Sequence, residues 1–257
     1  MLQAIETVRE SARPNPDYAF ARDPVLRFEQ RRLAAIVGYV AFGLPIVLML
    51  GTIGSGLLKS ISAYYYVPFL LGDFFVGGLI FVGALLLTYR GKSNTVAWLA
   101  TIAGIAAYAV ALVPTDGWCK AASGLCGRAW FARLDAWAHT IHIGSAILFF
   151  LILLWFCFLV FPAAETDVLL QENEKQKRNR IYKACGWFMI LGMLVAASGF
   201  LISGLEEQSW RPVFVGETIM LFSFGVSWIV QGRLSNTALM DERDKLDRGA
   251  ARSEGLA

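Results

Sequence analysis

The 257-residue chain is 56% hydrophobic and only 17% charged, with a mean hydropathy of +0.54, too apolar for a soluble domain of this length. Its net charge of +3 comes from basic residues spread between apolar runs. With no basic patch and no aromatic–basic interleaving, a nucleic-acid binder is excluded.

The first 32 residues, with Pro14, Pro16 and Pro24, are too polar for the apolar core of a cleaved signal peptide, so the first apolar run reads as a retained signal-anchor. Six runs follow in order: Leu33–Leu57, Val67–Tyr89, Val96–Pro114, Ala136–Phe161, Ala184–Leu205 and Val213–Val230. A helix rises 1.5 Å per residue, so about 20 residues cross about 30 Å of hydrocarbon, and each run suffices. The expected fold is an all-α polytopic membrane bundle of six transmembrane helices. Residues 1–32 form an amino-terminal segment, 33–232 the membrane domain and 233–257 a tail.

Lysine and arginine set the expected orientation. Six precede the first run, two (Arg90, Lys92) lie in the second connection, five between Lys175 and Lys183, and five from Arg233 onward. The opposite side holds Lys59, Lys120, Arg128, Arg133 and Arg211. The positive-inside rule then makes both termini cytoplasmic. Cys119 and Cys126 fall in the long third connection on the outer side, where an oxidising compartment permits a disulfide. Cys157 and Cys185 fall near the cytoplasmic ends of helices four and five. The fourth connection, Glu165–Lys183, carries opposite charges three and four apart, such as Glu174 with Lys177 and Arg178, and reads as a solvated helical extension. The tail from Ser235, with Asp241, Glu242, Arg243, Asp244 and Lys245, reads as a solvated charged face.

The informative residues are those that do not belong in hydrocarbon. Asp73 lies about two turns inside helix two, His139 and His142 near the start of helix four, and Glu217 just inside helix six, all in the outer third. Ionisable groups at such depth ordinarily face a protein interior or a wet cavity. His139 and His142 are three apart and share a helical face, which Asp135 extends. Two imidazoles and a carboxylate suit Zn²⁺ with a fourth position for water, which the metal would activate as a nucleophile. In that scheme His139, His142 and Asp73 are metal ligands, Asp73 or Glu217 is the general base, and Ser62 binds the water or an oxyanion. Each residue also has a structural reading: Asp73 at the positive end of its helix dipole or paired with Lys59 or Arg133, the histidines bonded to backbone carbonyls or lipid headgroups, and Glu217 paired with Arg211 or with an arginine of the third connection. Trp118, Trp130, Phe131, Trp137, Tyr64, Tyr65, Tyr66 and Trp210 fit an outer aromatic belt. The small residues Gly72, Gly77, Gly78 and Gly83 permit close helix approach.

Ser62-Ala63-Tyr64-Tyr65-Tyr66, Gly72-Asp73-Phe74-Phe75-Val76-Gly77, Val113-Pro114-Thr115, Arg178-Asn179-Arg180-Ile181-Tyr182, and Glu217 with Phe224-Gly225-Val226-Ser227-Trp228 together resemble a group of uncharacterised bacterial six-helix membrane proteins. That resemblance covers nearly everything beyond residue 30 and implies a multi-pass protein of the bacterial inner membrane, with no activity attached. More distantly, a Ser, an Asp and helical histidines near one face resemble the CREST hydrolases, which include alkaline ceramidases and adiponectin receptors. That likeness implies zinc held by histidines, with Ser62 and Asp73 in the Ser and Asp roles. The chain departs from it in having two histidines, three apart where the superfamily's pair is four apart, and six helices in place of seven.

Three functions are consistent with these residues. The first is an outer cavity that binds a lipid, a small molecule or a membrane partner. The second is a zinc-dependent hydrolase of lipid amides or esters. The third, a transporter, lacks an acid or base near the midplane.

Overall fold

The computed structural model describes residues 23–67, 70–90, 93–121, 129–163, 172–201, 210–233 and 242–255. Helix α1 (Pro24–Gly51) begins inside the polar segment, ahead of Leu33, because Asp23 caps it: Oδ1 accepts from Val25 N at 2.8 Å and Leu26 N at 3.4 Å, with Pro24 preset at the first position. It stops short of Leu57. Thr52 Oγ1 donates back to the Leu48 and Met49 carbonyls, and Gly54 and Gly56 then take positive φ of 91° and 85°. A 3₁₀ turn, Ser62–Tyr66, leads toward α2 (Leu70–Thr88). Ser93 caps α3 (Asn94–Leu112) through Val96 N.

Helix α4 (Ala129–Trp155) passes through a π-helical turn, Phe156–Val160, into a last turn, Phe161–Ala163. After it come α5 (Glu172–Leu201), α6 (Pro212–Gly232) and α7 (Glu242–Ser253). All regular elements among the described residues are helical. Six of them, α1 to α6, are long and apolar enough to cross a membrane, as expected from the six runs.

Helix α6 is the hub, packed against α5 and α1, while α2 packs on α3 and α3 on α4. Glycines bring the backbones together. A Cβ on Gly216 would lie 2.5 Å from the Gly192 carbonyl, one on Gly38 2.7 Å from that of Gly225, and one on Gly104 2.8 Å from that of Gly83. Of the glycines expected to serve close approach, Gly83 does so, whereas Gly77 faces open space. Near the termini Trp228 is fully buried among Tyr89, Phe156, Phe161 and Phe224, with ring centroids 5.1–5.7 Å away.

The tail corrects the expectation of a wholly solvated face. Helix α7 docks on the start of α1, and Asp247 is 1% exposed. Its carboxylate accepts a forked pair from Arg27, Nη2 at 2.6 Å and Nε at 3.0 Å, and meets Arg31 Nη1 at 3.2 Å. The reason lies in spacing, since Asp247 and the buried Ala251 are four apart and share one face, leaving Lys245 and Leu246 outside. Cys157 and Cys185 are free and buried. Cys126 lies outside the described residues, and the expected bridge to Cys119 with it.

Candidate functional site

The end of the bundle opposite the termini is tied together by polar contacts between connections. Glu217, one turn into α6, reaches across to the 3₁₀ turn and accepts from Ile61 N at 2.5 Å. The first amides of a helical turn have no partner within it, so the carboxylate caps this one from a different element. Phe214 N donates to the Lys59 carbonyl at 3.2 Å, fixing the same loop to the start of α6. Just ahead of the turn, Ser60 Oγ accepts from Ala63 N at 3.0 Å and lies 3.1 Å from Ser62 Oγ.

The tyrosines expected in an interfacial belt divide between roles. Tyr64 is fully buried, its hydroxyl 3.2 Å from Thr52 Oγ1. Tyr66 Oη accepts from Asp116 N at 2.8 Å and donates to the Gly117 carbonyl at 3.2 Å. Burial pushes the Tyr66 phenol up to about 12, so it stays protonated and keeps that donor. Trp137 and Trp210, 63% and 45% exposed, remain at the surface as belt residues do.

Asp135 is also absorbed by structure. Its carboxylate accepts from Cys119 N at 3.1 Å and packs against Gly117, whose φ of 84° and missing Cβ make room for it. It therefore serves the third connection and does not extend a ligand row with the histidines. His142, 2% exposed, places Nδ1 2.6 Å from the Val113 carbonyl, and His139 places Nδ1 3.3 Å from that of Thr115. A carbonyl only accepts, so Nδ1 carries the proton in both rings and Nε2 is the basic nitrogen when the ring is neutral. Both contacts staple α4 to the end of α3.

Two spaces adjoin this framework. The larger, about 490 Å³, is walled by the loop before α2, the third connection and helices α4, α5 and α6; its polar lining includes Lys59, Ser62, Asp116, His139, Arg211 and Glu217. Apolar Ile143, Phe200 and Val213 complete it on the helix side. The smaller, about 40 Å³, holds Ser62, His142 and Glu217 among apolar side chains, with room for roughly two or three waters. Ser62 and Glu217 border both spaces.

Four of the five sequence candidates thus converge: Ser62, His139, His142 and Glu217. Asp73 does not join them. It is exposed and lines a separate cleft of about 360 Å³ with Tyr65, Val76 and Leu112. Among the described residues no three His, Cys, Asp or Glu side chains are grouped to hold a metal ion, so the expected zinc set of His139, His142 and Asp73 is not assembled.

Lys59 and Arg211 entered the sequence reading mainly as counts of charge. Among the described residues neither forms an ion pair. Arg211 has a φ of 48°, in the left-handed region, immediately before Pro212, where a side-chain-bearing residue is sparsely found. The only available sequence signal was the Arg-Pro step at the head of an apolar run.

Set against known proteins, the chain matches no protein-family model, no curated protein and no solved structure.

Proposed function

We propose that this is a multi-pass membrane protein that binds an amphiphile, a lipid or a small molecule with an apolar body, in the cavity at the end opposite its termini. One observation carries the reading: a space of about 490 Å³ whose wall is polar toward the connections and apolar toward α4, α5 and α6. Binding sites of this size combine an apolar lining with a few placed polar groups. Phe200, on that wall, is 53% exposed, which gives an apolar ligand a side route from the bilayer. With the termini cytoplasmic, as the charge distribution favours, the cavity serves the outer leaflet.

The test is a blocked cavity. Ala63 lines the space beside Ser62, and Ala63→Trp would fill part of it. Native mass spectrometry of the purified protein should show lipid adducts on wild type that are lost from Ala63→Trp, with helix content unchanged. Equal adducts on both proteins would reject the cavity as the binding site.

A further inference from the structure

Resting on that reading, we infer that the ligand carries a phosphate group, and that Lys59 and Arg211 grip it. The cavity is lined by two cations, Lys59 and Arg211, and two carboxylates, Asp116 and Glu217. These four groups are not equivalent. Glu217 is engaged by the Ile61 amide, and Asp116 sits beside the Tyr66 hydroxyl through its own backbone N–H and already has a further interaction. Lys59 and Arg211 have no carboxylate partner among the described residues. The carboxylates of the cavity are thus already engaged within the protein, whereas its two cations carry no ion pair among the described residues.

The two cations are also brought to the same place. The Phe214 N–H to Lys59 carbonyl bond ties the residue bearing one to the first turn of α6, and the other, Arg211, immediately precedes that turn. The backbone of Arg211 supplies an independent sign. At the far end of α6, Arg233 also has a positive φ, 52°, but there it closes the helix, its N–H bonded to Ile229 O, an ordinary left-handed C-cap. Arg211 sits at the N-terminal end with no side-chain capping bond. Its carbonyl accepts from Val215 N at 3.0 Å, as that of an N-cap does, but a capping residue ordinarily takes extended backbone, and a left-handed one is the kind of strain that function retains. A guanidinium and an ammonium lining one cavity suit the oxygens of a phosphate.

Phosphate can arrive on a phospholipid or on a water-soluble phosphoester, and the apolar wall of Ile143, Phe200 and Val213 favours the lipid. The experiment compares dioleoyl phosphatidylglycerol with an uncharged dioleoylglycerol by native mass spectrometry, using wild type, Lys59→Gln, Arg211→Gly and Ala63→Trp. Wild type should prefer the phosphatidylglycerol, and each charge variant should lose about tenfold of that preference while still taking up dioleoylglycerol. Arg211→Gly should also melt no lower than wild type, because glycine relieves the left-handed backbone. Unchanged preference in both charge variants would overturn the phosphate assignment and leave amphiphile binding standing. Loss of every adduct in Ala63→Trp alone would support the cavity, and persistence of all adducts there would reject the cavity and the phosphate site together. Competition by glycerol 3-phosphate would assign the phosphate to a soluble ester; failure to compete would assign it to the lipid.

Discussion

The two ends of the bundle use cations in opposite ways. At the termini Arg27 and Arg31 are 11% and 12% exposed, and both converge on Asp247, so charge there joins α7 to α1. At the other end Lys59 and Arg211 face a cavity and pair with no described carboxylate. A cation withdrawn from water is costly unless matched, and the first end matches it within the chain. The second keeps its cations hydrated, or matches them with something that arrives. Pairing thus separates cations that join helices to one another from cations that take no part in joining them.

Mutations at the two ends should break or sharpen this contrast. The largest effect belongs to Asp247→Ala, which leaves two guanidiniums without their shared carboxylate. Loss of one partner from a buried pair costs about 3 kcal/mol or more, and hydrogen exchange should show α7 losing its protection while α2 to α4 keep theirs. Retained protection of α7 would mean that apolar contacts such as Ala251 hold it instead.

Glu217→Ala comes next. It orphans the Ile61 amide at a cost of about 1–3 kcal/mol, read as a lower Tm, with faster amide exchange confined to the loop before α2. Tyr66→Phe is smaller, about 1 kcal/mol near neutral pH for the lost bond to Gly117. It carries a pH signature. The phenol titrates near 10 when unfolded and at about 12 in the fold, so the native state holds the extra proton between those values. Its contribution is complete below pH 10 and is lost as pH rises toward 12. Stability of wild type should therefore fall more steeply than that of Tyr66→Phe across this window.

The smallest effect is expected from Lys59→Gln, whose stability should change by no more than about 0.5 kcal/mol, the range for an exposed side chain away from any special feature. A large loss there would show that Lys59 is structural after all, and would erase the contrast between the ends.

Much of the fold was legible because lipid demands long apolar segments, and six of them left little choice of architecture. Their limits were less so: Asp23 and Pro24 start α1 within a polar stretch, a capping signal that outweighs the hydropathy boundary at Leu33. The site was half legible. Depth alone put Asp73, His139, His142 and Glu217 in one layer, but each residue step turns a helix by about 100°, and only packing decides that Asp73 looks into another cleft. Loop geometry was hidden altogether. Nothing in the spacing of Asp135 or Tyr66 announced that they bond the backbone of the third connection, nor that Arg211 adopts a left-handed conformation. The buried Asp247 was the most recoverable omission, since its four-residue spacing to Ala251 marks an inward face.

The glycine crossings Gly38 with Gly225, Gly83 with Gly104 and Gly192 with Gly216 carry a consequence for the sequence space open to this fold. At each crossing both partners must stay small together, because a side chain on either one meets the other's carbonyl rather than a yielding side chain. In any set of sequences sharing this architecture, all six positions should stay glycine, since no change of side chain at one partner moves its carbonyl away from the other, and the three pairs would mark which helices are neighbours even where every other residue had drifted.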